Sequence, residues 1–277
     1  MSLPNFLIIG AQKSGTSWLA RILGDHPEIF MANSEIYFFN NKDNFHKGME
    51  WYESYFASVN NETLIGEKTP GYLSHPDACL RIYHNLPDVK LIVVLRNPIK
   101  RAVSAINHHK RKGRISPLLN SNTLLLGILS GDEKYNSEEL KYQFISRGQY
   151  YSQIKRYYDY FSSKSILVLS YEEDIVKHPT ESLQKVCEFL GADPRFKFNK
   201  IERKVNSYNI KTGELLLNYY IPFLKPINHY VGKIFPDFYS DDLEESTICE
   251  LQEFYSEDNE KLFDLLGRTI NSLNTSR

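Results

Sequence analysis

A chain of 277 residues can hold one large α/β domain or two small ones and can bury a sizeable core. Its formal net charge of −1 at pH 7 excludes the global positive field with which nucleic-acid-binding proteins gather a polyanion, so no nucleic-acid partner is expected. Hydrophobic residues are 42% of the chain, yet no stretch approaches the roughly 18 consecutive apolar residues of a bilayer-spanning helix, so no membrane partner is expected.

Phe6-Leu7-Ile8-Ile9 is a short apolar run closed by Gly10, which reads as a buried strand. It is too short for a secretory leader and lacks preceding basic residues. Cys79, Cys187 and Cys249 are far apart and lack metal-ligand spacing, so no metal is expected. They suit a reducing compartment, and the expected location is cytoplasmic. Thr16 and Ser17 can open a helix with Trp18, Leu19, Ile22 and Leu23 on one face, ended by Gly24 and Pro27.

Residues 91–95 are a second buried strand, whose continuous apolar character suits a parallel sheet covered on both faces. Pro98 starts a helix predicted to reach about Lys112, and His108-His109-Lys110-Arg111-Lys112 reads as its solvated basic end. Residues 113–146 are polar and weakly periodic, a helical excursion or a lid. Residues 166–169 are a third strand, flanked by helices around 148–161 and 180–190. Tyr151, Ile154, Tyr158 and Phe161 have the spacing of a core-facing stripe. Residues 205–240 look irregular, and 241–266 look like a final amphipathic helix or pair. Alternating strands and helices predict an α/β fold, a single domain over 1–277 with a central parallel sheet flanked by helices.

The first chemical signal is Gly10-Ala11-Gln12-Lys13-Ser14-Gly15-Thr16-Ser17, between a strand and a helix. Amides at a helix start have no internal partner and bind anions. Gly15 allows close backbone approach, Thr16 and Ser17 add hydroxyls, and Lys13 adds a point charge. In the Walker loop the lysine follows the last glycine, whereas Lys13 precedes Gly15, which argues against an ordinary ATPase or kinase. The second signal, Arg96-Asn97-Pro98 through Ser104, follows a strand end, where open α/β sheets bind ligands. A guanidinium there can grip a phosphate, and Ser104, two turns into the next helix, can point back at it.

Together these segments resemble the PAPS-dependent sulfotransferases, where PAPS is 3′-phosphoadenosine-5′-phosphosulfate. Residues 10–17 look like that family's 5′-phosphosulfate loop and Arg96 to Ser104 like its 3′-phosphate site. Ser34-Glu35-Ile36-Tyr37-Phe38-Phe39 is similar to the Lys-Glu-x-His-Phe-Phe motif of the heparan-sulfate and bacterial branch. Gly66-Glu67-Lys68-Thr69-Pro70-Gly71-Tyr72-Leu73 is similar to its Glu-Lys-Thr-Pro-x-Tyr motif. Arg147-Gly148-Gln149-Tyr150-Tyr151 and Leu169-Ser170-Tyr171-Glu172 also have counterparts, and the resemblance spans roughly residues 5–200.

The resemblance implies a P-loop-like sulfotransferase fold, PAPS as donor and PAP (3′-phosphoadenosine-5′-phosphate) as product. It implies Glu35 as general base, with Lys13 and Lys68 as catalytic cations. The bland alternative for Lys68 is a salt bridge with Glu67. The implied donor-binding set is Lys13, Ser14, Gly15, Thr16, Ser17, Trp18, Arg96 and Ser104, with Lys211 as a weaker candidate beside Asn206, Ser207 and Gly213. The family's lysine and histidine are replaced here by Ser34 and Tyr37.

The region 205–277 is expected on the acceptor side, with Tyr37, Phe38, Tyr72, Tyr219, Tyr220, His229 and Tyr230 as candidate lining. Low net charge and 19 tyrosines point to a small secondary-metabolite acceptor with a hydroxyl or amine nucleophile; a carbohydrate or lipid acceptor is the alternative. A nucleotide kinase would need a lysine after Gly15 and a magnesium carboxylate at a strand end. A nucleotide-binding module without chemistry would not need Glu35, Lys13 and Lys68 together.

Overall fold

A computed structural model describes residues 2–199, 201, 212–221 and 242–274. The chain divides into two compact units. The first comprises Met1–Asn97, Tyr150–Val205 and Asp258–Thr275, and the second Pro98–Gln149, Asn206–Glu257 and Ser276–Arg277.

The first unit is built on a five-stranded sheet of β1 (Phe6–Gly10), β2 (Ile29–Met31), β3 (Leu64–Lys68), β4 (Lys90–Leu95) and β5 (Ile166–Ser170). The order is β2-β3-β1-β4-β5 and every pairing is parallel. Strand alternation sorts the side chains into two cores. Phe6, Ile8, Ile92, Val94 and Leu169 meet α1 (Thr16–Leu23) and α9 (Pro179–Leu190) on one face. Leu7, Ile9, Leu91, Val93 and Val168 meet α4 (Ala78–Asn85) and α8 (Tyr150–Tyr158) on the other. Burial on both faces explains why the central strands read as unbroken apolar runs.

The predicted strands at 6–9, 91–95 and 166–169 are present, each ending within one residue of its expected limits. Two strands carried no such signal. β2 has three residues, and β3 reads Leu64-Ile65-Gly66-Glu67-Lys68, with glycine and charges where strand formers are usual. Gly66 is required by packing, because a Cβ there would stand 2.1 Å from Phe6 Cζ and 2.6 Å from Met31 Sδ. The stripe on α8 runs through Tyr150, Ile154 and Tyr157, and Phe161 just beyond the helix is buried with them. Tyr151 and Tyr158 pack at its partly buried margin, a shift of one residue from the spacing expected.

The second unit holds α5 (Pro98–Arg111), α6 (Ser121–Leu129), α7 (Glu133–Tyr142), α10 (Thr212–Tyr220) and the start of α11 (Glu245–Leu266). The short helices α2 (Lys42–Phe45) and α3 (Gly48–Glu53) belong to the first unit. Within residues 113–146 the helices α6 and α7 cover 121–129 and 133–142, and α11 fills most of the predicted C-terminal helix. The basic end of α5 is solvated only in part, with His108 and Arg111 half-buried and Lys112 exposed. His109 and Lys110 are buried, the His109 ring lies 4.1 Å from that of Tyr142, and Lys110 Nζ donates to the Leu119 carbonyl at 2.6 Å. A carbonyl acceptor offsets the cost of burying that ammonium, and a sequence does not display it. Among the described residues no helix is long and apolar enough to cross a membrane.

Candidate active site

In a parallel sheet all carboxyl strand ends lie along one edge, the usual place for ligands. Register sets Ile8 beside Lys68 and Leu95 beside Ser170. The loop after β1, the last residue of β3, Arg96 after β4 and Tyr171 after β5 therefore share that edge.

The loop after β1 is shaped by two residues in the left-handed region, Lys13 at φ 71° and Gly15 at φ 85°. Gly15 is the N-cap of α1 and offers no side-chain cap; its carbonyl accepts from the amides of Trp18 at 3.0 Å and Leu19 at 3.1 Å, which leaves those of Thr16 and Ser17 without an intrahelical acceptor. Ser14 is fully buried and its Oγ has no hydrogen-bond partner among the described residues. A buried hydroxyl without a partner is costly and fits a site built to receive a ligand oxygen. Thr16 is buried and Ser17 half-buried in the first turn.

Tyr171, to which the sequence assigned no role, locks this loop. Its ring packs so closely on Gly15 that a Cβ there would stand 2.6 Å from Tyr171 Cδ2. The Arg96 guanidinium lies 4.9 Å over the same ring. Arg96 Nη1 donates to the Lys13 carbonyl at 3.0 Å, and Nε stands 3.6 Å from Glu172 Oε1. The Tyr150 hydroxyl donates to the Arg96 carbonyl at 2.8 Å. Arg96 thus ties the end of β4 to the loop, beyond the phosphate role expected of it. The register of β4 with β5 is what could have pointed to Tyr171, and no single sequence shows that register.

Gly15→Ala adds a methyl both at a left-handed φ, costing about 1–2 kcal/mol, and against the Tyr171 ring. PAP binding measured by calorimetry is expected to weaken by roughly tenfold or more.

Glu35 and Lys68 are brought together. Lys68 Nζ stands 2.5 Å from Glu35 Oε1 and donates to Ser17 Oγ at 3.2 Å. The Tyr37 hydroxyl donates to Glu35 Oε2. The side chains of Glu35 and Lys68 are 27% and 14% exposed, so the pair is reachable at one edge but held from below. Lys68 does not pair with the adjacent Glu67, because neighbours on a strand point to opposite faces.

Glu67 is fully buried and accepts from the hydroxyls of Tyr52 at 2.5 Å, Thr69 at 2.6 Å and Tyr72 at 2.7 Å. Burial pushes its carboxyl above the ordinary carboxylate range, and the three hydroxyl donors oppose that shift. Burial, followed by the Glu67 charge, pushes the Tyr52 and Tyr72 phenols well above their ordinary value, so both remain donors.

The other candidates are distributed among core, surface and second unit. Phe38 and Tyr72 are core residues rather than acceptor lining. Phe38 is stacked 4.6 Å from the ring of Tyr52, and the Tyr72 hydroxyl is committed to Glu67. Tyr37 is exposed. Trp18 is buried in the α1 core, and its indole N–H donates to the Ile201 carbonyl at 3.1 Å. Ser104 is half-buried on α5, and Tyr219 and Tyr220 lie on α10, all in the second unit. Lys211, Asn206, Ser207, His229 and Tyr230 lie outside the described residues. Among the described residues no group of three or more His, Cys, Asp or Glu could hold a metal.

The sulfotransferase-domain family model matches residues 3–233. The chain is 29% identical over 273 residues to the Homo sapiens heparan sulfate glucosamine 3-O-sulfotransferase 5, covering 97% of this chain and 74% of that protein. It is 31% identical over 206 residues to the Caenorhabditis briggsae bifunctional heparan sulfate N-deacetylase/N-sulfotransferase 1, covering 71% of this chain and 23% of that much longer protein. The crystal structure of a sulfotransferase from Alicyclobacillus acidocaldarius superposes with a TM-score of 0.76 at 26% identity, covering 99% of this chain and all of that one. With a phosphate-type loop, a parallel sheet and a carboxylate–lysine pair at its carboxyl edge, and a matching family model over most of its length, the chain belongs to the sulfotransferase-domain family.

Proposed function

We propose that this sulfotransferase moves a sulfonate from PAPS to a hydroxyl or amine of a carbohydrate, with Glu35 as the general base. The observation that carries the reading is the continuous chain from Glu35 through Lys68 to Ser17, which links a carboxylate at the site's edge to the first turn of the loop helix. When bound, PAPS supplies an activated sulfonate with a phosphate leaving group. The unpartnered Ser14 hydroxyl, the first-turn amides of α1 and the left-handed backbone at Lys13 and Gly15 fit its 5′ oxygens.

The roles then follow from position. Glu35 takes the proton from the acceptor O–H or N–H as the acceptor's electron pair forms the new bond to sulfur. Each of its oxygens already accepts one hydrogen bond, and a carboxylate oxygen has capacity for a second. The bond from sulfur to the bridging oxygen breaks with its electron pair going to the departing phosphate. Lys68, set between Glu35 and Ser17, places positive charge where that oxygen becomes negative, and Lys13 is proposed to add a second charge from the loop.

Composition alone pointed to a small secondary-metabolite acceptor. A carbohydrate is favoured by similarity over 97% of this chain to a protein named for sulfating heparan sulfate glucosamine.

The test is calorimetric titration with PAP beside ATP, followed by PAP release from PAPS with heparan sulfate and with a small phenol as acceptors. Binding of PAP at least about tenfold tighter than ATP is expected, with faster release on heparan sulfate. Preference for ATP would remove the donor assignment, and faster release on the phenol would return the acceptor to a small molecule.

A further inference from the structure

Behind Glu35 lies a buried hydrogen-bonded assembly that the proposed chemistry does not use. Glu67 Oε1 accepts from both Thr69 Oγ1 and the Tyr72 hydroxyl, and Oε2 accepts from Tyr52. A hydroxyl carries one proton and two lone pairs. Once Thr69 and Tyr72 give their protons to Glu67, only their lone pairs remain, and these face backbone amides. Thr69 Oγ1 accepts from Ile36 N at 3.2 Å and Tyr37 N at 3.4 Å. The Tyr72 oxygen accepts from Phe38 N at 3.1 Å. Three consecutive amides after Glu35 are therefore held by two hydroxyls whose direction is dictated by one carboxylate.

The held segment needs such support. Tyr37 has φ 55°, a left-handed conformation unfavourable for a residue with a bulky side chain and maintained only where surroundings over-determine it. Phe38 and Phe39 anchor the segment on the far side in the aromatic core, with rings 4.9 Å apart. Glu67 is the immediate chain neighbour of Lys68 on β3. One strand end thus holds Glu35 twice, directly through Lys68 Nζ and indirectly through the amides that follow it.

We infer that Glu67 is a positioning residue for the transfer reaction, which through Thr69 and Tyr72 clamps the backbone of residues 36–38 and so aims Glu35 at the acceptor. The inference rests on the reading of Glu35 as the base. Glu67 does not touch a substrate, since it is fully buried, and its effect passes through the turn. A carboxylate serves here where an amide would not. Its two oxygens only accept, so the polarity of every hydroxyl around it is fixed, whereas a glutamine would present an N–H₂ to one of three donors.

Replacing Glu67 itself risks unfolding the core, so the test removes one hydroxyl at a time in the full chain. Thr69→Val takes the acceptor from Ile36 and Tyr37, Tyr72→Phe takes it from Phe38, and Thr69→Ser keeps the hydroxyl. Amide hydrogen exchange of the segment 34–39 is measured beside PAP release from PAPS, with heparan sulfate and with water alone as acceptors, and PAP binding by calorimetry.

Thr69→Val and Tyr72→Phe are expected to speed exchange of 34–39 by about tenfold or more while the strand peptides exchange as before. They are expected to lower kcat by roughly tenfold or more with the KM for PAPS and the Kd for PAP within about twofold. Thr69→Ser is expected to restore both readouts to within about threefold of the parent. Unchanged exchange, faster exchange with unchanged kcat, or parallel loss of kcat and PAP binding overturns the clamp. The base assignment fails separately: Glu35→Gln turning over near the parent rate removes Glu35 from the chemistry, whatever the exchange of 34–39 shows.

Discussion

Glu35→Gln is expected to lower turnover by about 10²–10⁴-fold, the usual contribution of a positioned general base, while PAP binds as tightly as to the parent. The substitution is nearly isosteric. The side-chain oxygen of glutamine can still accept from Lys68 or Tyr37, so the local geometry survives while the proton acceptor is lost. PAP isolates the donor side, because it lacks the sulfonate that is transferred. Measuring kcat by PAP release and Kd by calorimetry on the same preparation separates loss of chemistry from loss of the site. A variant with the parent's kcat would move the base elsewhere, and one that loses both quantities would make Glu35 a structural anchor of the donor site.

The second large effect is expected at Lys68. Lys68→Met keeps the length and apolar stem of the side chain and removes only the ammonium. Loss of one pre-organised charge at the point where a leaving oxygen becomes negative lowers kcat by about 10²–10³-fold. Lys68 Nζ touches Ser17 Oγ and Glu35 Oε1, so its influence lies on the side of the sulfonate. PAP binding should therefore change by no more than about fivefold, and the effect on kcat/KM should exceed the effect on PAP affinity. If PAP affinity falls in step with kcat, Lys68 holds the nucleotide rather than the transition state. The outcome also bears on Glu35, whose Oε1 would lose the ammonium that it contacts at 2.5 Å.

The sequence determined the class of this protein and the parts of its donor side that are local. The strand at 6–10, the loop at 11–15 and the helix from Thr16 form one contiguous segment. Their chemistry follows from neighbours in the chain: a glycine that tolerates a positive φ, hydroxyls in a first helical turn, and amides without internal acceptors. Likewise the continuous apolar runs of β4 and β5 follow from burial on both faces of a parallel sheet, a property written residue by residue. Glu35 and Lys68 were legible as separate motifs. That they meet, at 2.5 Å and 33 residues apart, was not, since it depends on the packing of the loop after β2 over the end of β3.

What only the tertiary structure decided is of the same kind. Tyr171 reaches Gly15 and Arg96 because β5 pairs with β4 in a register that sets Ser170 beside Leu95, and register is a property of two strands rather than of either. Phe38 and Tyr72 were candidates for the acceptor lining, and packing against Tyr52 and Glu67 places both inside. His109 and Lys110 looked like a wet helix end until the Tyr142 ring and the Leu119 carbonyl supplied their partners. Glu67, the alternative partner for Lys68, instead faces away into three hydroxyls. Polar groups are stable in the interior only with partners, and those partners come from distant parts of the chain. Local chemistry can therefore be read from the order of residues, whereas the assignment of a polar side chain to core or site waits on the fold that supplies its partner.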